Sequence, residues 1–401
     1  MNKQVSHIPS GYKPSPIGPI PEDWEVKRLE EVGSFSKGSG VPKDKIISEG
    51  HPCLTYGDLY TKYDFVIKNI KSFIDEETSK ESKEINAGDI CFAGSGETPE
   101  DIGKCAAYLE NCPAFAGGDI VILSPNNNID SLWLSYLLNS DIGGKQRYKF
   151  AQGFSIVHIY PDNLKQIQIP VPPLPEQQRI VSVLSLWDTA IAKQTALIEK
   201  LTLRKRGLMQ QLLTGKKRLK GFGGDAFQTI PFDRIAKTIK VKPFQISKSD
   251  YQDCGSTPVV DQGQSFIAAY TDTKNVFTDT PFVLFGDHTR IVKWINFPCV
   301  IGADGVQAIK SKGGMDIKYL YYLLSNTELP NLGYSRHMSI LKEKMFYVTT
   351  NYDEQKAIAE CLSNADKEIE LAKERLLHLQ KQKRGLMQVL LSGKKRITNK
   401  I

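Results

Sequence analysis

From residue 176 onward the apolar positions step through the chain at intervals of 4 and 3 without a break. They fall at Ile180, Leu184, Trp187, Ile191, Gln194, Ile198, Leu201, Lys205, Leu208 and Leu212. The same phase returns at Ile358, Leu362, Ala365, Ile369, Ala372, Leu376, Leu379, Lys383, Leu386 and Leu390. A sustained mean spacing of about 3.5 marks a coiled-coil seam rather than a merely amphipathic face. Pro175 ahead of Glu176, and Asp353 as N-cap, predict the two helix starts; Gly215 and Gly393 predict the stops. From 180 to 212 such a helix is about 50 Å long. Two of them in one chain, with a long segment between, pair most economically as antiparallel neighbours. Each seam admits one lysine, Lys205 or Lys383, where a charge costs stability and sets register or partner choice.

The two helical segments are copies. Residues 176–219 and 354–397 align without a gap, and 20 of the 44 pairs are identical. Both end in Lys-Arg-Gly-Leu-Met-Gln, at 205–210 and 383–388, followed by Gly-Lys-Lys-Arg. A repeat of this length predicts an internal pseudo-two-fold. Ahead of each helix lie short strand-like runs broken by glycine-rich turns. They include Asp89–Ala93 and Asp119–Leu123, then Pro281–Phe285 and Val300–Ile301. The two regions echo each other weakly, 129–139 against 315–325 and Trp24, Leu29, Val32 against Phe227, Phe232, Ile235. The expected architecture is α+β. A globular domain at 1–173 is followed by a helix at 174–219, a second domain at 220–352 and a second helix at 353–401, the helices packed as an antiparallel coiled coil. Helices that stayed alike beside domains that diverged fit identical partners for the helices and different targets for the domains.

Bulk composition narrows the class. At 401 residues, with 40% hydrophobic and 24% charged residues, the chain has the make-up of a folded protein of two or three domains. No apolar run reaches the roughly 18 residues of a membrane span, and the opening residues lack the apolar segment of a secretory signal. Seven cysteines, an odd number with no Cys-x-x-Cys, suit reduced thiols in the cytoplasm better than disulfides or a zinc site. Net charge is +7, yet segments 204–220 and 379–401 each hold seven basic residues and no acid, so the remainder carries −7. Positive charge thus gathers at the ends of both repeat helices. It suits a polyanion or an acidic protein surface there, or simply a solvated helix end complementing the dipole.

Ile20-Pro21-Glu22-Asp23-Trp24, the helix entry Ile169-Pro170-Val171-Pro172-Pro173-Leu174-Pro175-Glu176-Gln177 and the two Lys-Arg-Gly-Leu-Met-Gln segments resemble the specificity subunit of type I restriction–modification systems. Leu284-Phe285-Gly286-Asp287-His288-Thr289-Arg290 and Gly333-Tyr334-Ser335-Arg336-His337 are similar to recurring pieces of that family's target-recognition domains, as is Ala93–Lys104 in the first domain. The second helix entry, Thr349-Thr350-Asn351-Tyr352-Asp353-Glu354-Gln355, departs by lacking the proline run. The resemblance implies a non-catalytic DNA-binding subunit. Each domain would read one half of a split site in double-stranded DNA. The paired helices would set the spacing and dock two adenine-N6 methyltransferase subunits. No cofactor is implied for this chain. The partners would use S-adenosylmethionine, and ATP with Mg if two restriction subunits join.

Base reading calls for bidentate or polar side chains on loops that enter a groove. In the first domain the candidates are Lys37, Ser95, Glu97, Thr98, Arg147, Lys149, Gln152 and His158; in the second, Gln262, His288, Arg290, Arg336 and His337. His158 and His288 equally suit satisfied structural histidines, and Arg290 and Arg336 equally suit phosphate contacts. On the helices, Lys205, Arg206, Met209, Lys383, Arg384 and Met387 are candidates for partner docking. Two other classes compete. A stand-alone methyltransferase or nuclease lacks support in the motifs: Gly103-Lys104 ends no phosphate loop, Gly94–Gly96 is a lone Gly-x-Gly, no Asn-Pro-Pro-Tyr/Phe or Asp-Pro-Pro-Tyr occurs, and Glu354-Gln355-Lys356 lies at a helix start. A coiled-coil adaptor that never touches DNA would show no steep salt dependence of DNA binding.

Overall fold

The computed structural model describes residues 8–153, 156–224, 226–302, 305–331, 333 and 335–397. Asp225, expected to open the second domain, and Tyr334 of the second-domain motif lie outside the described residues. Two compact units emerge, and they cut across chain order. Unit 1 is Met1–Lys193 with Leu376–Ile401; unit 2 is Gln194–Arg375. The predicted helices are present as Leu174–Leu212 and Tyr352–Leu390, each of 39 residues. Each unit therefore holds the first half of one repeat helix and the second half of the other.

None of the predicted seam positions is exposed. In unit 1, Ile180 and Leu184 join Met387, Leu390 and Leu391 in the domain core. In unit 2, Ile358, Ala359 and Leu362 do the same with Leu212 and Leu213. Away from the domain, the seam of unit 2 narrows to Leu201, Ile369 and Ala372 with Ile198 beside them. Gln194, the polar seam residue, is buried and donates from Nε2 to Ala372 O at 2.9 Å. The pairing within each unit is antiparallel, as the ion pairs described below require.

The helix ends follow the glycines. After each helix a glycine adopts a left-handed φ, +70° at Gly215 and +72° at Gly393, and the chain folds back so that Lys217 N donates to Gln211 O and Lys395 N to Val389 O. The second start corrects the expectation of Asp353 as N-cap. Asn351 does this instead: its Oδ1 accepts Glu354 N at 3.0 Å. Asn351 N itself donates to Thr349 Oγ1, which fixes the cap where the first entry uses prolines.

The globular parts share one plan. A two-stranded antiparallel ribbon closes each domain at the helix entry, Glu25–Arg28 with Gln168–Val171 in unit 1 and Phe227–Pro231 with Met345–Thr349 in unit 2. The larger sheet runs, by strand order, Gly33–Lys37, Ile120–Pro125, Ile90–Ala93, Cys105–Tyr108, Val66–Ile67 in unit 1. In unit 2 it runs Ala236–Ile239, Val306–Ser311, Phe282–Gly286, Val292–Ile295. A smaller sheet in each contains one parallel pair, His51–Leu54 with Ala114–Ala116 and Thr257–Val260 with Val300–Ile301. Helices Ser131–Leu138 and Ile317–Ser325 start on aspartate caps, Asp130 accepting Trp133 N and Asp316 accepting Tyr319 N. The openings that echo in sequence are buried alike: Trp24, Leu29 and Val32, then Phe227, Phe232 and Ile235.

Candidate nucleic-acid interface

Each domain is fastened to its helix pair by the same polar clamp. In unit 1, Arg396 at the end of the second repeat donates from Nε to Glu176 Oε1 and from Nη2 to Glu176 Oε2, both at 2.6 Å, and reaches Asp23 with its other edge. These bonds raise the arginine above its usual range, Glu176 contributing most, and lower Asp23. Glu176 is buried and also accepts Trp24 Nε1 at 3.0 Å. In unit 2, Arg218 at the end of the first repeat makes the same fork onto fully buried Glu354, at 2.5 and 2.7 Å, and lies over Phe227. Fork-shaped pairing of this kind fixes orientation as well as distance. Gln177 and Gln355 repeat the motif one residue on, each accepting the backbone N of the domain's helix-capping aspartate at 2.7 Å.

A second clamp lies further along. Lys383 pairs with Asp188 beneath Phe65 and Tyr136, and Tyr136 donates to the same carboxylate. Lys205 pairs with Asp366 at 2.5 Å beside Tyr322, which donates to Asp366 at 2.7 Å. Burial lowers the pKa of Lys383, against the opposing pull of Asp188. These contacts correct the docking assignment for four residues. Lys205 and Lys383 face inward onto carboxylates of the facing helix. Met387 is in the core of unit 1 and Met209 packs against that of unit 2. Arg206 and Arg384 are exposed, and Arg384 lines a cleft of about 430 Å³ in unit 1 with Asp64, Asp141 and Gln388.

The first-domain candidates converge only in part. Ser95 and His158 are cross-strand partners, Ser95 Oγ lies 3.0 Å from His158 Nδ1, and Gln152 exchanges two backbone bonds with His158. Glu97, Thr98, Gln152 and Lys149 are exposed around this ribbon, whereas Lys37 is exposed two strands away on the sheet edge. Two candidates are corrected to internal roles. Ser95 is buried and serves to orient His158. Arg147 is 5% exposed, and its Nη1 donates to Leu138 O at 2.7 Å.

All five second-domain candidates come together where three loops meet. Gln262 Oε1 accepts His288 N at 3.1 Å, and Thr289 Oγ1 donates to Gln262 O. His288 Nδ1 lies 3.2 Å from Ser335 O. Asp287 caps the helix Met338–Glu343 by accepting Met338 N at 2.7 Å. Arg290 occupies a left-handed φ of +61°, uncommon for a side chain that long, and ties its Nη1 to Leu329 O. Arg336 is exposed. His337 is the correction here: fully buried, its Nδ1–H donates to Asp287 O at 2.8 Å, so it braces the turn rather than reaching a ligand.

Several contributors went unpredicted. Glu176, Glu354, Asp188, Asp366, Arg218 and Arg396 were all visible as identities in the repeat. Lys293 is another: it occupies an inward strand position opposite Leu284 and is 5% exposed. Exposed Gln264 and Phe266 sit on the same loop as Gln262. No helix among the described residues is long and apolar enough to cross a membrane.

Two repeated α+β domains, each clamped at both ends of a helix pair and each carrying its own loop cluster, define a class of DNA specificity protein. The family model described as "Type I restriction modification DNA specificity domain" matches residues 21–203. The MjaX type I restriction enzyme specificity subunit of Methanocaldococcus jannaschii is 29% identical over 96% of this chain and 97% of its own length. The MjaVIII specificity subunit of the same organism is 25% identical over 95% of each. Among solved structures, the type I restriction–modification S subunit from M. genitalium superposes with a TM-score of 0.58 at 15% identity, covering 94% of this chain and 97% of that one. A chain from a structure addressing assembly of the type I system gives 0.58 at 18% identity over 94% and 99%. The chain belongs to the type I restriction–modification specificity-subunit family.

Proposed function

We propose that this chain is a non-catalytic reading subunit: each domain recognises one half of a bipartite site in double-stranded DNA, and the repeat helices hold the methyltransferase partners and set the unread spacer. The observation that carries this reading is the contrast between identical clamps and unlike loops. Arg396–Glu176 and Arg218–Glu354 repeat to the atom, as do Lys383–Asp188 and Lys205–Asp366. The loop clusters around His158 and His288 share neither sequence nor bonding. Shared clamps suit a shared partner, bound once by each copy; distinct loops suit distinct base sequences. Two adenine methyltransferase subunits using S-adenosylmethionine fit that two-copy arrangement. Restriction subunits using ATP and Mg would join through them. The site of action is the cytoplasm, where the chromosome lies.

Co-expression with its methyltransferase, followed by genome-wide mapping of methylated adenine, tests the reading. The expected result is one split, asymmetric motif. Inserting one helical turn, about 5.4 Å, in both long helices should lengthen the unread spacer by one or two base pairs. An unsplit motif, or methyl transfer by the purified chain alone, overturns the proposal.

A further inference from the structure

A buried cation sits beneath the recognition loops of each domain, and the two are unrelated in sequence position. In unit 2 it is Lys293. Its ammonium donates to Asp261 O at 2.7 Å and Ser265 O at 2.6 Å, with the Asp261 carboxylate at 3.9 Å. The loop so held carries Gln262, Gln264 and Phe266. Gln262 in turn holds the backbone of His288 and the hydroxyl of Thr289, and the 286–290 turn is braced by His337 and capped onto Met338. Lys293 is therefore the floor of a chain of bonds running through all three loops.

In unit 1 the corresponding place is taken by Arg147. Its guanidinium caps the last carbonyl of helix Ser131–Leu138 and lies 3.4 Å from Asn139 Oδ1. Asn139 grips Cys105 on both sides, accepting its N and donating to its O. The arginine stem fits against Gly103, where a Cβ would come within 3.0 Å of Arg147 Cδ, and Gly103 has a left-handed φ of +70°. Loop 95–104, which bears Glu97 and Thr98, is thereby closed at its far end; Tyr60 Oη donates to Ser95 O at its near end.

A buried charge is costly, and burial lowers the pKa of both groups. Loop carbonyls and helix-terminal carbonyls are the groups a multi-donor cation can satisfy where no ladder does. A hydrophobic side chain in either place would leave those carbonyls unpaired and the loop free to shift, while the sheets below kept their own bonds.

We infer that Lys293 and Arg147 are positioning residues, each fixing the sequence preference of its own half-site and leaving the other half unaffected. This rests on the two-domain reading of DNA proposed above. The experiment maps methylated adenines for wild type, Lys293→Met and Arg147→Met, each co-expressed with the methyltransferase. Wild type tests the parent reading: no split motif there removes it before the variants are considered. With a split motif, Lys293→Met should blur one half by roughly tenfold in preference for the correct bases, and Arg147→Met the other. A purely structural role would lower methylation at every site without changing which bases are required, and that result overturns the inference, as would both variants blurring the same half. Should a Met variant fail to methylate, Lys293→Gln and Arg147→Gln keep N–H donors and should show the same half-specific blur in milder form. Loss of all methylation in the Gln variants too would make these cations general supports of the fold and end the proposal.

Discussion

Unit 1 and unit 2 differ most where they face a ligand and least where they face their own helices. The clamp residues match in type, partner and distance, from Arg396–Glu176 against Arg218–Glu354 to Tyr136–Asp188 against Tyr322–Asp366. The reading loops match in nothing but their dependence on a buried cation. Where two copies keep the same bonds, the same physical demand acts on both. Where they part, the demands differ. The clamp is thus the frame of the molecule and the loops are its variable content.

The frame is tested hardest at its buried carboxylates. Glu354 is fully buried, and removing one partner of a buried ion pair costs about 3–5 kcal/mol. Glu354→Ala should destabilise unit 2 by that much. Glu176→Ala should cost unit 1 less, because Arg396 retains Asp23 on its other edge. Urea denaturation of the two variants reads the gap directly. Equal losses would show that Asp23 contributes nothing, and the two clamps would then be energetically as well as geometrically alike.

The loops are tested by a smaller change. Arg336 is exposed beside His288 and His337, and a lost bidentate base contact is worth about 1–3 kcal/mol in discrimination. Arg336→Ala should relax one base position in one half-site, and Gln152→Ala one position in the other. Competition binding with singly substituted duplexes measures both. Uniform weakening across sequences, with a shallower salt slope, would reassign Arg336 to phosphate contact.

The chain wrote its frame in plain view and its reading heads obscurely. The seam, the helix stops and the α+β domains were legible because periodicity and a repeat of 44 residues carry redundant information. The clamp partners were legible in principle, since Glu176, Asp188 and Arg218 recur as Glu354, Asp366 and Arg396. What hid them is that an identity says a residue matters and not what it touches. The inward turn of Lys205 and Lys383 was hidden for the same reason: a seam lysine reads as a partner signal until the opposing aspartate is known. Loop residues gave least. Arg147, Ser95 and His337 have the chemistry of base readers and the burial of supports, and burial in a loop depends on tertiary closure that no local pattern records.

The shared signature also contains a glycine that the frame does not use. Gly207 and Gly385 sit in mid-helix, and a Cβ at either would meet nothing within 4 Å. Alanine there should stabilise each unit by about 0.5–1 kcal/mol. Thermal melts of Gly207→Ala and Gly385→Ala should rise together if the units are equivalent. A rise accompanied by weaker co-purification of the methyltransferase would mark close approach of a partner backbone at both copies.

The smallest expected effect falls where the units diverge inside the clamp. Unit 2 places Lys318 against Trp294 at 4.0 Å, with Tyr321 and Tyr322 further off, where the matching position of unit 1 is Leu132. Burial pushes Lys318 down from 10.5 to about 8, helped by Lys205 and Lys367 and opposed by Asp366 and Asp316. A lysine whose folded pKa lies below its unfolded one binds fewer protons in the fold across that interval, so its contribution to stability improves as pH rises from about 8 toward 10. Buried Tyr319 and Tyr322, whose pKa values are raised, act in the opposite sense above pH 10 and bound the window. The denaturation midpoint of wild type should therefore gain on Lys318→Leu between pH 7 and pH 9.5. A constant difference across that range would mean the ammonium is solvated well enough that unit 2 tolerates it as readily as unit 1 tolerates its leucine.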